Sequence, residues 1–422
     1  MKIVLINNHS VLNAGDYAIL LQTLHLVHGA FPEAEIVLTF NEPATARAAL
    51  PHYRIYAAPP AWGIRQNQHR HSVKTSRVIR GFMLFLLFLS ALLSRWFGKP
   101  VRTFVDQQKH DLLAELFEAD LVIACGGGYL YHWFTFAGAL CWCSIILRRP
   151  LVLFPQSIGP FHHPLQVRLA QSIVRGADLV LTRETISWQR AIDLGAREAR
   201  CEPDLAFGLP SAPSTLAQEL IKRYIPSEIN ATMYIGLTAI DWQEQNTRFR
   251  GQQRYEQVLV EFINRVTAQG AVVVLFAQTF GPFRSEDDRL VNHRLHQQVR
   301  DPQRVVVINE ILQPDLLQSL YGCMDYFVAT RLHSFILATN AGVPALVIGY
   351  LSKSIGILSD MGIADRCLDI QHLSLDRLWQ AFLGLQQEGL PGHVHSYVDA
   401  ARDRHHVLQQ ELGRRYAVRT SE

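Results

Sequence analysis

Residues Val328–Tyr350 read VATRLHSFILATNAGVPALVIGY. Tyr326–Ala329 forms a short apolar run with a β-branched centre, as a buried strand does. Thr330-Arg331-Leu332-His333-Ser334 breaks it with a cation, an imidazole and two hydroxyls. Ser334–Ala341 is small and apolar enough to be helical. Gly342, with Pro344 two residues on, stops the helix. Ala345–Ile348 is apolar throughout, the mark of a parallel strand covered on both faces. The stretch therefore predicts strand, polar turn, helix, strand.

That order puts Arg331 and His333 at the carboxyl end of a strand and the amino end of a helix, the edge where open α/β sheets bind ligands. Free N–H groups and the helix dipole favour an anion there. The arginine fork matches phosphate or carboxylate, and the imidazole can exchange a proton near neutral pH. The alternative is a structural Arg–His pair capping the helix.

Working outward, the same rhythm fills both halves. Strands are expected at Ile3–Ile6, Glu35–Phe40, Tyr53–Tyr56, Leu121–Ala124, Leu151–Phe154 and Leu179–Leu181. A second series follows at Tyr234–Leu237, Val272–Phe276, Val305–Ile308, Tyr326–Ala329, Ala345–Ile348 and Cys367–Asp369. Between the first strand and its helix, Tyr17–Val27, lies the polar loop Asn7–Asp16, with Asp16 placed to be the N-cap. Such alternation implies α/β architecture with mainly parallel sheets. The Pro/Ser break LPSAPS at 209–214 divides the chain: a first α/β domain over 1–210, a second over 215–395, and a charged C-terminal helix over 396–422 that is expected to return to the first. No sequence repeat links the halves.

At 422 residues and 49% hydrophobic content the chain can fill two or three cores, and its net charge of +3 gives no general attraction to nucleic acid. The six cysteines, Cys125, Cys141, Cys143, Cys201, Cys323 and Cys367, form no C-x-x-C pair and read as reduced thiols of a cytoplasmic protein. No tight ligand cluster predicts a metal. His162-His163 and the His69–His71 run read as solvated surface. The opening apolar run is too short for a signal peptide and reads as the first strand.

One segment departs from the rhythm, inside an insertion at about 57–110. Gly81–Ser94, GFMLFLLFLSALLS, holds fourteen residues without a charge. Arg65, Arg70, Lys74, Arg77 and Arg80 precede it; Arg95 and Lys99 follow. A span needs about 20 apolar residues, so the segment is expected not to cross a bilayer. It suits either a membrane surface, with cations at anionic headgroups, or a buried core helix or dimer contact.

The strand ends collect the polar residues: Asn13, Gly15 and Asp16; Gly126-Gly127-Gly128; Gln156-Ser157; Arg183-Glu184; and, in the second half, Arg331–Ser334 and Lys353. The glycines let backbone N–H groups approach a ligand or simply make tight turns. Asp16 has the N-cap alternative, and Arg183 could pair with Glu184 or Asp204. Neither a dinucleotide fingerprint nor a P-loop occurs, and no G-x-S-x-G elbow does. The cationic excess of Arg331, His333, Lys353 and Arg183 describes an anion pocket.

These residues also carry a resemblance. The segments Asn13–Leu20, Gly126–Gly128, Gln156–Phe161, Arg183-Glu184 with Ser187, Pro203-Asp204, Glu286–Arg289, Thr330–Ser334 with Asn340–Pro344, and Lys353 with Gly356 are similar, in this order, to those of the polysaccharide pyruvyltransferases, most of all the colanic-acid type. Many relatives carry an arginine after the strand at Tyr234–Leu237. Here Ala239-Ile240-Asp241 stand there, leaving Arg248 or Arg250 to substitute.

The resemblance implies two Rossmann-like domains facing across a cleft, as in GT-B glycosyltransferases. It implies transfer of pyruvate from phosphoenolpyruvate to two sugar hydroxyls, giving a cyclic ketal and phosphate, with no metal or nucleotide. Binding a donor of charge roughly −2.5 to −3 would fall to Arg183, Arg331, Leu332, His333, Ser334 and Lys353. His333 would move the proton, and Arg331 would steady departing charge. Asn13, Gly15, Asp16, Gly127, Gly128 and Gln156 would face the acceptor from the first domain, Asp16 as a base. The acceptor would be a sugar or lipid-linked oligosaccharide, with the protein cytoplasmic or peripheral on the inner membrane face. Rival readings are a nucleotide-sugar glycosyltransferase and an inactive membrane-associated partner in polysaccharide assembly.

Overall fold

The computed structural model describes residues 1–62, 64–66, 72–74, 77–104, 106–131, 134–225, 229–246 and 249–417. His69, Arg70, His71 and Arg248 lie outside them. The chain divides into two units. One holds Met1–Val11, Ile19–Leu205 and the chain from Asp403; the other holds Leu12–Ala18 and Ala206–Arg402.

The first unit is built on a parallel sheet in the order Ala199–Cys201, Leu179–Thr182, Leu151–Ile158, Leu121–Ala124, Lys2–Asn8, Glu35–Phe40, Arg54–Ala57. Its central strands are buried residue by residue, which is why they read as unbroken apolar runs rather than alternating ones. The expected end of one strand at Phe154 is corrected. The strand runs through Pro155 to Ile158, because the proline falls where the register with Leu179–Thr182 shifts and no ladder bond is lost. Gly127–Leu130, whose glycines suit either close approach to a ligand or a tight turn, pairs with that extension, Gly127 opposite Gln156.

The basic-apolar insertion forms an antiparallel pair, Ile64–Gln66 with Ser72–Lys74, and a helix, Arg77–Phe97. The helix is a full turn longer at its start than the uncharged core of the sequence suggested. Arg80 is accommodated over the Phe136 ring, 4.0 Å from its centroid, and Gly98 at φ +66° ends the helix. At its full length the segment Val78–Phe97 is long and apolar enough to cross a membrane, so the length argument against a span is withdrawn. Leu84, Leu87 and Ala91 bury one face in the unit's core.

The second unit has a parallel sheet in the order Val305–Ile308, Val272–Phe276, Tyr234–Thr238, Tyr326–Ala329, Ala345–Gly349, Cys367–Asp369. Phe276, Tyr321 and Phe327 pack as a buried aromatic cluster on one side of it. The C-terminal helix Gly392–Ala417 enters the first unit from Asp403. There Glu411 pairs with Arg200, Arg415 with Glu198 at 2.7 Å, and His405 meets the Pro203 carbonyl at 3.1 Å.

Candidate functional site

Two clusters gather the sequence-predicted residues, one in each unit. In the second unit the strand Tyr326–Ala329 hands over to the helix Leu332–Asn340 through Thr330 and Arg331. Arg331 is extended, and no side-chain hydrogen bond caps the helix; the Ser334 N–H closes the first turn on the Arg331 carbonyl at 3.0 Å. Thr330 is fixed by a 2.8 Å hydroxyl contact with Tyr255. Ser334 Oγ donates to Gln278 Oε1.

Arg331 is 8% exposed and Asp288 1%. The Arg331 fork donates from Nε, at 3.3 Å, and from Nη2 to the two oxygens of Asp288. Asp288 also accepts from the backbone N–H of Gln278 at 3.2 Å and Thr279 at 3.0 Å. Burial works against the guanidinium charge, and the adjacent Asp288 outweighs it, so Arg331 titrates above its usual range. The expectation of an unbalanced cation is therefore corrected: Arg331 is a rigid, neutralised pair whose remaining donors are aimed by the carboxylate behind it. Lys353 lies half-buried in the same unit, in the first turn of the helix Ser352–Asp360.

The loop Leu12–Ala18 belongs to this cluster. Ala14 donates to the Gln278 carbonyl at 3.0 Å, Phe280 donates to the Leu12 carbonyl at 2.9 Å, and Asn13 bridges Thr279. Gly15 lies directly against His333: a Cβ built there would overlap Nδ1, Cγ and Cβ of the imidazole. This corrects the expectation that Asn13, Gly15 and Asp16 face His333 from another domain; they share its unit. The Asp16 cap is corrected as well. Asn13 Oδ1 accepts from the N–H of Gly15 at 3.0 Å and of Asp16 at 3.3 Å, and the helix starts at Ala14. Asp16 sits half-buried in its first turn, its carboxylate not used as the cap.

Gly15 thus admits no side chain for a reason of space. Gly15→Ala is expected to push His333 and its helix turn away, at about 1–3 kcal/mol of overpacking, and to lower turnover more than it lowers stability. Steady-state rates beside thermal unfolding check this; wild-type turnover in a folded Gly15→Ala protein would detach the glycine from the site.

In the first unit Arg183 is buried, with Nη1 donating to Asp204 at 2.6 Å and Nε to Ser157 Oγ at 2.9 Å. Its Nη2 has no hydrogen-bond partner among the described residues and points toward Gly128, 3.5 Å from where a Cβ would stand. Arg183 also donates its backbone N–H to the Gln156 carbonyl at 3.2 Å. So Arg183, expected with the donor, sits beside Gly127, Gly128 and Gln156, expected with the acceptor. Of its two candidate partners, Asp204 makes the close pair, and Glu184 lies 3.7 Å away. Burial pushes the Glu184 carboxyl up from its usual value, against the pull of Arg183, Ser187 and Ser157.

After the strand Tyr234–Thr238, Ala239 and Ile240 are fully buried and Arg250 is exposed. A different arginine reaches this loop. Arg294 pairs with Asp241 at 2.8 Å and with Glu256 at 2.6 Å. Sequence reasoning missed Arg294, Gln278 and Tyr255 as site neighbours; Asp288 was visible only as part of a matching segment. No cluster of three or more His, Cys, Asp or Glu able to hold a metal occurs among the described residues.

A sequence model described as "Polysaccharide pyruvyl transferase" matches residues 13–352, from the Asn13 cap to the helix carrying Lys353. The chain belongs to that family. The amylovoran biosynthesis protein AmsJ of Erwinia amylovora is 24% identical over 98% of this chain and 95% of its own length. Among solved structures, UDP-GlcNAc 2-epimerase from Methanocaldococcus jannaschii is similar with a TM-score of 0.56 at 10% identity, covering 97% of this chain and 99% of that one. MurG of Acinetobacter baumannii is similar with a TM-score of 0.50 at 12% identity, covering 95% and 99%. At such identities these likenesses speak to fold alone: α/β, with two parallel sheets of the GT-B kind. The family supports a pyruvyltransferase role in polysaccharide synthesis.

Proposed function

We propose that this family member transfers the pyruvyl group of phosphoenolpyruvate to two hydroxyls of a sugar in an exopolysaccharide precursor carried on a lipid. The observation that carries the reading is the uncapped turn Arg331–Ser334 with His333 seated on Gly15. The helix N-terminus, the paired Arg331 fork and Lys353 suit a donor bearing both phosphate and carboxylate.

In this reading His333 gives a proton to the enol methylene, which becomes a methyl group. One sugar hydroxyl oxygen bonds to C2, and Asp16 receives its proton. The C2–O bond to phosphate then breaks, the electron pair leaving with phosphate. The second hydroxyl oxygen bonds to C2 and closes the ketal, its proton leaving with phosphate. Water must be kept from C2 after phosphate departs, or free pyruvate results.

The test is phosphate release from phosphoenolpyruvate by the full chain, with and without a lipid-linked glycan extract. Release that depends on the extract, with pyruvate incorporated into the lipid fraction, is expected. No release, together with thermal stabilisation by a nucleotide sugar and none by phosphoenolpyruvate, would overturn the reading in favour of glycosyl transfer.

A further inference from the structure

The helix Arg77–Phe97 has two faces that cannot both be explained by the fold. Leu84, Leu87 and Ala91 lie in the core of the first unit. Ser90 donates to the Val101 carbonyl, Ser94 Oγ accepts from the Val101 N–H at 2.8 Å, and Thr103 donates to the Leu86 carbonyl at 3.1 Å. Phe88 packs edge-on to Trp142 at 6.0 Å. On the other side Val78, Phe82, Phe85, Leu92 and Trp96 are each more than half exposed, Trp96 at 83%. Their spacings of four, three, seven and four residues set them on one stripe along the helix. A soluble surface has no use for that much contiguous aromatic and aliphatic side chain.

The charge around the stripe says what covers it. Between Glu42 and Asp106 the sequence contains no aspartate or glutamate, while Arg95, Lys99 and Arg102 follow or end the helix and are exposed. A second copy laid face to face would bring these cations together with no acid on the segment to balance them. Phosphate headgroups would balance them.

We propose that this helix seats the protein on an anionic bilayer surface, lying in the interface rather than crossing it. By length and composition it could span. To do so it would have to strip Leu84, Leu87 and Ala91 from the core and break the hydrogen bonds that tie Ser94 and Leu86 to the chain at 101–103. Lying flat keeps all of these and buries only the stripe, to a depth of about 5–10 Å. Arg95, Lys99 and Arg102 then meet the headgroups. The inference stands on this helix alone and holds whatever the donor proves to be.

Vesicle flotation of the full chain tests it, using phosphatidylcholine mixed with phosphatidylglycerol and phosphatidylcholine alone. The protein is expected to float with the mixed vesicles, with a blue shift of Trp96 emission that Trp96→Phe removes. Phe82→Asp/Phe85→Asp/Leu92→Asp changes only exposed positions and should retain the fold by circular dichroism while binding at least on the order of a hundredfold more weakly. Arg95→Gln/Lys99→Gln/Arg102→Gln should lose about fivefold per cation on mixed vesicles and little on the neutral ones. Failure of the wild type to float, or equal flotation of the triple aspartate variant, overturns the proposal. So does a concentration-dependent dimer that the aspartate variant abolishes without vesicle binding, since a second copy would then own the stripe.

Discussion

Replacing His333 by alanine is expected to lower turnover on the order of 10²–10⁴-fold, the usual contribution of a positioned acid–base group, with little change in the apparent affinity for phosphoenolpyruvate. The imidazole stands in the first turn of an uncapped helix, where a bound anion would sit, and only 8% of the residue is exposed. Under the proposed function, donor affinity would rest mainly on backbone N–H groups, Arg331 and Lys353, none of which the substitution removes. A packing role makes a different prediction. Gly15 abuts the ring, so alanine leaves a gap that glutamine at 333 would largely fill. If His333 matters for packing, His333→Gln restores turnover; if it moves a proton, glutamine is as slow as alanine. Full activity in either folded variant removes His333 from the chemistry.

The sequence made the sheets legible because parallel strands buried on both faces leave unbroken apolar runs. Glu35–Phe40, Leu121–Ala124, Val272–Phe276, Val305–Ile308, Tyr326–Ala329 and Cys367–Asp369 have the expected bounds. It failed where a residue's local preference was overruled by a neighbour distant in sequence. Pro155 reads as a stop until its register shift with Leu179–Thr182 is seen, and the glycines at 127 and 128 read equally as a ligand approach or a tight turn, whereas Gly127 pairs with Gln156 in the sheet. Asp16 looked like a cap, yet Asn13 holds that place because Leu12–Ala18 is drawn onto Gln278, Thr279 and Phe280. That same attachment put Asn13, Gly15 and Asp16 in the unit of His333, with Gly15 directly against the ring. Nothing local to residues 12–18 encodes it; the only trace was that the loop and the 330–334 turn both belonged to one pattern of matching segments.

The cations were legible as residue types and illegible as charges. Arg331 and Arg183 promise a strongly positive site in sequence, but each is buried against a carboxylate that lies elsewhere in the chain: Asp288 for one, Asp204 for the other. A guanidinium so held has little net charge to attract an anion. What it gains is direction, since its remaining N–H groups are fixed before any ligand arrives. The site in each unit is therefore better described as preorganised donors than as a positive patch, and selectivity should depend more on the geometry of the anion than on its total charge.

Asp288→Ala should then cost more than any single change on the surface, about 3–5 kcal/mol. Asp288 accepts from Gln278, Thr279 and twice from Arg331 while being 1% exposed. Removing it strands a buried guanidinium and two buried amide N–H groups at once. Arg331→Met alone should be less severe, because Asp288 keeps its two backbone donors and can take a proton. The double variant Arg331→Met/Asp288→Leu removes the charges together and should recover part of the loss, leaving chiefly the two unmet amides. Because the chain has two units, a single unfolding midpoint would mix them. Hydrogen exchange of amides in the strands Val272–Phe276 and Tyr326–Ala329 isolates the one concerned. Protection there should fall sharply in Asp288→Ala and rise again in the double variant. Unchanged protection in Asp288→Ala would mean that the pair contributes nothing to holding the Arg331–Ser334 turn, and that the turn's shape is set by the sheet alone.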